Sequence, residues 1–111
     1  MKTLATIELD LPETAVVKGE LYDSLEPALL LQDILEVELS DEMFIDVGWY
    51  PEHHPDGSFW IRVFYLPRTK WESQGSVVYR ARNPIGRAVK VKNPKEAQAV
   101  VELLAAVYSA K

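Results

Sequence analysis

The sequence predicts a two-layer α+β domain, with an antiparallel sheet of about five to six strands in ββαββββα order and two helices packed on one face. Three observations carry that expectation. Period-two alternation of apolar and polar residues runs through most of the chain, breaker-rich segments separate the alternating runs at hairpin spacing, and helical periodicity appears twice. At 111 residues, with 48% hydrophobic and 26% charged side chains, the chain has the size and composition of one globular domain spanning 1–111.

Residues 4 to 11 set Ala5, Ile7, Leu9 and Leu11 against Thr6, Glu8 and Asp10, the period of a half-buried strand, and Pro12 closes it. Residues 15 to 22 return as a second strand that Gly19 weakens. Ser24 reads as a helix N-cap with Pro27 tolerated in the first turn. Leu25, Ala28, Leu29 and Leu35, together with Leu30, Leu31 and Ile34, then predict a helix over 25–37 that is buried on more than one side.

The middle of the chain reads as a hairpin. Ile45, Val47 and Trp49 alternate with Phe44, Asp46, Gly48 and Tyr50, and Phe59, Ile61, Val63 and Tyr65 alternate with Trp60, Arg62 and Phe64. A continuous core face requires odd positions to pair with odd. Trp49 then meets Phe59, Val47 meets Ile61, Ile45 meets Val63, Asp46 faces Arg62 and Trp60 lies across from Gly48. A second hairpin is expected from 76–82 and 87–92 around Asn83-Pro84-Ile85-Gly86, whose residue types suit a type I turn followed by a left-handed glycine. Its register pairs Asn83 with Arg87, Ala81 with Val89, Tyr79 with Val91 and Arg80 with Lys90. Asn93 as N-cap, Pro94 at the first helical position and Glu96 closing a capping box begin a final helix, with Ala97, Val100, Val101, Leu104, Val107 and Tyr108 along one face.

Little in this sequence points to catalysis. With no cysteine there is neither a disulfide nor a thiolate nucleophile, and a reducing compartment, the cytoplasm, is the expected location. No serine or threonine sits in a nucleophile elbow, and the five glycines are scattered singly, so no phosphate loop and no nucleotide cofactor are implied. The amino-terminal residues lack the apolar run of a signal peptide, and no stretch approaches a membrane span, so no membrane partner is expected. His53 and His54 stand in a loop with Glu52 and Asp56. Adjacent histidines on an extended backbone point apart, so a metal-assisted site there is the weakest option and a solvated tip shaped by Pro55-Asp56-Gly57 the simplest.

Two features do point to binding. Trp49, Tyr50, Phe59, Trp60, Phe64, Tyr65 and Trp71 crowd one stretch. The hairpin register sends Trp49, Phe59 and Tyr65 inward and leaves Tyr50, Trp60 and Phe64 beside Arg62 on the other face. Those rings are either covered by the chain itself or available to a partner, and Trp, Tyr and Arg are the residues that dominate interface hot spots. Charge is also segregated. Residues 1–56 carry a net −12 and residues 57–111 a net +7, which together make the overall −5.

The expected function is therefore a non-enzymatic protein-interaction module, a small accessory, immunity-like or antitoxin-like binder that works by charge and aromatic complementarity or by self-association as a homodimer. Its candidate partner-binding residues are Tyr50, Trp60, Arg62 and Phe64 with Glu52, His53, His54 and Asp56 of the loop, and Glu36, Glu38, Asp41 and Glu42 supply further negative charge toward a basic partner. The alternative is a small anionic ligand or nucleic acid held by Arg80, Arg82, Lys90 and Lys92 of the 76–92 hairpin. Nucleic acid is disfavoured by the net charge of −5 and the lack of a recognised binding motif.

Overall fold

The structure is a computed structural model that describes residues 5–65 and 83–109. Five strands, β1 (Val16–Gly19), β2 (Leu35–Glu38), β3 (Met43–Tyr50), β4 (Ser58–Tyr65) and β5 (Asn83–Val91), form one sheet in the order β1-β2-β3-β4-β5, and each described neighbouring pair is antiparallel. One helix, α1 (Pro94–Ser109), packs on it. The α+β class and the antiparallel sheet are as expected, but among the described residues there is one covering helix, not two.

The central hairpin has the expected register throughout. Val47 pairs with Ile61, Ile45 with Val63, Trp49 with Phe59, Asp46 with Arg62 and Gly48 with Trp60. Leu35 and Val37 of β2 extend the same row of inward side chains through their pairing with Val47 and Ile45. Together with Ala97, Val101 and Ala105 of α1, these residues make a continuous buried core. Trp49 and Phe59 meet edge to face in it, with ring centroids 4.8 Å apart.

The predicted helix over 25–37 does not form. Pro27–Leu29 make a single 3-10 turn, Leu30 drops into the core, and the chain then runs extended into β2. Ser24 accepts the Glu26 N–H at 3.1 Å, so it closes a turn where a helix cap was expected. The competing signal lies in Leu35-Glu36-Val37-Glu38-Leu39, which alternates strictly, and burial of Leu35, Val37 and Leu39 against β3 outweighs helix propensity in the leucine run. The approach to β2 already bonds to β3, with the Ile34 N–H donating to Val47 O (2.9 Å) and the Trp49 N–H to Leu31 O (2.8 Å). This irregular pairing brings the Gln32 carbonyl so close to Gly48 that a Cβ there would lie 1.9 Å from its oxygen. Ser40 then turns the chain into β3 by accepting the N–H groups of Glu42 and Met43.

Residues 5 to 11 keep their expected sidedness from position 7 onward without forming a strand. Ile7, Leu9 and Leu11 pack against the core, while backbone pairing is limited to the Thr6–Tyr22 bridge and two bonds beside it. The extended segment takes the place of the missing helix as cover. It is tied to α1 by the Asp10 N–H on Glu102 Oε2 (2.8 Å) and by Gln98 Nε2 on Glu8 O (3.1 Å).

A second correction concerns Asn83-Pro84-Ile85-Gly86, which is strand and not a hairpin turn. Asn83 pairs with Tyr65, Pro84 with Phe64, Val89 with Ile61, Lys90 with Trp60 and Val91 with Phe59. The partners proposed from 76–82 lie outside the described residues. Gly86 does adopt the left-handed region, at φ 70°, but it uses that conformation in a bulge between the Val63–Ile85 and Ile61–Val89 pairs. Proline is accommodated beside bulges and on outer strands, and β5 is the last strand of the sheet order.

The capping of α1 is as expected. Asn93 Oδ1 accepts the Glu96 N–H at 2.8 Å and Asn93 Nδ2 donates to Glu96 Oε1. The buried stripe is Ala97, Val101 and Ala105, flanked by Val100, Leu104 and Tyr108, whereas Val107 is 54% exposed and faces away. Replacing Val101 by Ala should accordingly cost about 2 kcal/mol in urea denaturation, while Val107→Ala should stay within about 0.5 kcal/mol of wild type.

Candidate functional site

The face of the sheet opposite α1 collects the even-numbered side chains of β3 and β4. On it, Tyr50 and Trp60 stand with ring centroids 5.4 Å apart at a tilt of 58°. The Arg62 guanidinium lies 5.0 Å from the Trp60 ring centroid and 5.8 Å from that of Tyr50. Lys90, placed opposite Trp60 by the β4–β5 register, sets its ammonium 4.2 Å from the same indole centroid. Two cations thus share one tryptophan, a geometry in which the ring quadrupole attracts each charge. Phe64 is half-buried further along β4, opposite Phe44 on one side and Pro84 on the other.

Of the rings expected on this face, Tyr50, Trp60 and Phe64 are on it and half-buried. Tyr65, expected inward, is 38% exposed at the end of β4. The Glu42 carboxylate accepts a hydrogen bond from the Tyr65 hydroxyl, and its negative charge adds to the effect, so ionisation of the phenol is displaced upward. Glu20 does the same to Tyr22, across 2.7 Å.

The loop that links β3 to β4 is held at several points. It begins with a cis Tyr50–Pro51 peptide, and His53 has a positive φ of 62°. The His53 N–H donates to Leu30 O (2.7 Å), and its Nδ1 lies 2.8 Å from Pro27 O, which fixes the proton on Nδ1. His54 Nδ1 receives the Asp56 N–H at 3.3 Å, and the carbonyl of His54 accepts both the Gly57 N–H and the indole N–H of the buried Trp49. His53 thus ties the loop to the turn at 27–30, and His54 serves the loop's own backbone. Glu52, His53, His54 and Asp56 are all exposed, and among the described residues no three His, Asp or Glu side chains stand close enough together to hold a metal ion.

The expected cationic stripe is divided. Lys92 donates to Gly57 O at 2.8 Å and to Asp56 O at 3.3 Å, so it clasps the loop. Lys90 joins the Trp60 cluster, and Arg80 and Arg82 lie outside the described residues. The contribution that sequence reasoning missed is Arg87. It was expected to close a hairpin, but it stands in the β5 bulge and lines a hollow of about 550 Å3 with Trp60, Arg62, Phe64, Pro84 and Lys90. Gly86, with its left-handed signal, was the one sequence feature that marked this spot.

Because strand order follows chain order, the segregation of charge along the sequence becomes a gradient across the sheet. Glu36, Glu38 and Asp46 are on β2 and β3, with Lys18 of β1 bound to Glu38 at 2.8 Å, whereas Arg62, Arg87 and Lys90 are on β4 and β5. Lys18 pairs with Glu38 and Lys95 with Asp23, whereas Arg62, Arg87 and Lys90 enter no ion pair among the described residues.

No family model matches the chain. Comparison with curated proteins and with solved structures returns no match either. Among the described residues, no helix is long and apolar enough to cross a membrane.

The raised tyrosine values have a definite pH signature. A folded-state value above the ordinary 10.0 means that the hydrogen bond favours the neutral phenol. Its stabilisation is therefore complete below pH 10.0 and is lost as the pH rises through the folded value. Replacing Glu42 by Gln should move one tyrosinate absorbance transition to lower pH, and replacing Glu20 by Gln should do the same for a second.

Proposed function

We propose that this chain is a non-enzymatic interaction module whose sheet face opposite α1 holds an acidic segment of a protein partner. Trp60, Tyr50 and Phe64 act as anchors, and Arg62 and Lys90 select for negative charge. The observation that supports this reading is the half-buried Trp60 with two cations on its ring and no ion pair to either cation among the described residues. Aromatic anchors beside arginine are typical of binding hot spots, and charge around them sets the choice of partner.

This reading reverses the sign of partner expected from sequence. Carboxylates of the amino-terminal half suggested a basic partner, but Glu38 is engaged by Lys18 and Glu42 by Tyr65, and the charges at the anchoring rings are positive. The loop residues Glu52, His53, His54 and Asp56 border Tyr50 at the end of β3 and form the rim of the proposed surface.

Titration with a fluorescently labelled Glu-rich peptide tests the reading. Binding should be measurable at low salt and weaken as salt rises. It should fall at least about tenfold in Trp60→Ala and in Lys90→Glu. No binding at low salt, unchanged binding by both variants, preferential salt-dependent binding of a single-stranded oligonucleotide, or a stable dimer in which Trp60 is protected would each overturn it.

A further inference from the structure

We infer that the hollow between β4 and β5 is a pocket for a phosphorylated side chain of the partner, an inference that rests on the reading of the face opposite α1 as a protein-binding surface. The hollow exists because the two strands are unequal. Between the Ile61–Val89 and Val63–Ile85 pairs, β4 places Arg62 alone, whereas β5 places Gly86, Arg87 and Ala88. The extra residues leave the ladder, and Gly86 at φ 70° makes the excursion, with open space where a side chain would stand. A regular β5 would close the sheet over this spot.

The lining of the hollow specifies its occupant. Phe64, Pro84 and the Trp60 ring supply apolar wall, while Arg62, Arg87 and Lys90 bring three cations from two strands. Arg62 and Lys90 approach the same indole centroid, at 5.0 and 4.2 Å, so the two charges lie within one Debye length, about 10 Å, of each other. Like charges gathered this closely in a chain of net charge −5, and in no ion pair among the described residues, are relieved by an anion placed between them.

Two guanidiniums and an ammonium match a dianion with three acceptor oxygens better than a single carboxylate. Arginine presents a planar fork to phosphate oxygens, and a phosphoryl group offers close to two charges at neutral pH. The volume of about 550 Å3 lies within the range of sites that take a small group and its stem. Trp60 provides a flat surface for that stem.

The deciding experiment compares three probes by anisotropy or calorimetry: a short Glu-Gly peptide with one central phosphoserine, the same peptide with unphosphorylated serine, and inorganic phosphate as competitor. The phosphopeptide should bind at least about tenfold more tightly than its unmodified counterpart. Inorganic phosphate should compete away that advantage, and Arg87→Ala, at an exposed position on the bulge, should abolish it while leaving the weaker binding of the unmodified peptide intact. Equal affinity for the two peptides, or a phosphopeptide advantage that survives in Arg87→Ala, would overturn the pocket. In either case the reading of the face opposite α1 still stands, provided that Trp60→Ala weakens both peptides. If neither peptide binds at low salt, both inferences fall together, and if phosphate alone binds, the hollow is a free-anion site and the partner assignment is wrong.

Discussion

Pairing of Val47 with Ile61 at the middle of the β3–β4 hairpin decides which side of the sheet every neighbouring side chain occupies. The side-chain period of a strand is two, so a slip of one residue would carry Ile45, Val47, Trp49 and their partners to the opposite face and destroy the core. With that register in place, β2 can add only with Leu35 and Val37 inward, and α1 can bury only a stripe narrow enough to meet them. Ala97, Val101 and Ala105 supply small side chains where the helix comes closest. The opposite face with Tyr50, Trp60 and Arg62 is the other half of the same constraint.

Much of this arrangement was legible in the sequence where a single physical signal acted alone. Alternation on both strands of the central hairpin determined the register residue for residue, and Asn93, Pro94 and Glu96 marked the start of α1. Errors arose where two signals competed. The leucine run at 29–31 has helical spacing, yet the strict alternation that begins at Leu35 recruits the chain into β2, and Leu30 finds its place in the core from an irregular segment. Asn83-Pro84-Ile85-Gly86 carries turn chemistry, but a left-handed glycine serves a bulge as well as a hairpin, and only the presence of β4 beside it decides between them. The exposure of Val107 and burial of Ala105 follow from how α1 is rotated on the sheet, which periodicity within the helix constrains only to within a residue or two.

The candidate site was legible in its parts and hidden in its assembly. Trp60, Tyr50, Arg62 and Lys90 could each be assigned to the outward face from alternation. That Lys90 would cross to Trp60, that Lys92 would bind loop carbonyls, and that Arg87 would join the cluster depend on the pairing of β5 with β4. The strand order then turns an acidic first half and a basic second half into a sheet with Glu36, Glu38 and Asp46 on β2 and β3 and Arg62, Arg87 and Lys90 on β4 and β5. Such a field orients an approaching charged molecule before any side chain touches it.

The loop after β3 illustrates how misleading composition can be about stiffness. Its two prolines, two histidines and glycine suggest a floppy tip, yet its backbone is bonded to Leu30 and its His53 ring to Pro27, while the Trp49 indole and Lys92 hold it from below and from the side. A side chain at position 57 would collide with Tyr50 O at 2.5 Å, so the close approach there admits only glycine. Its outward side chains are therefore displayed on a preformed scaffold, and a recognition peptide grafted onto positions 52, 55 and 56 would be presented already ordered, sparing most of the entropy that a free epitope loses on capture.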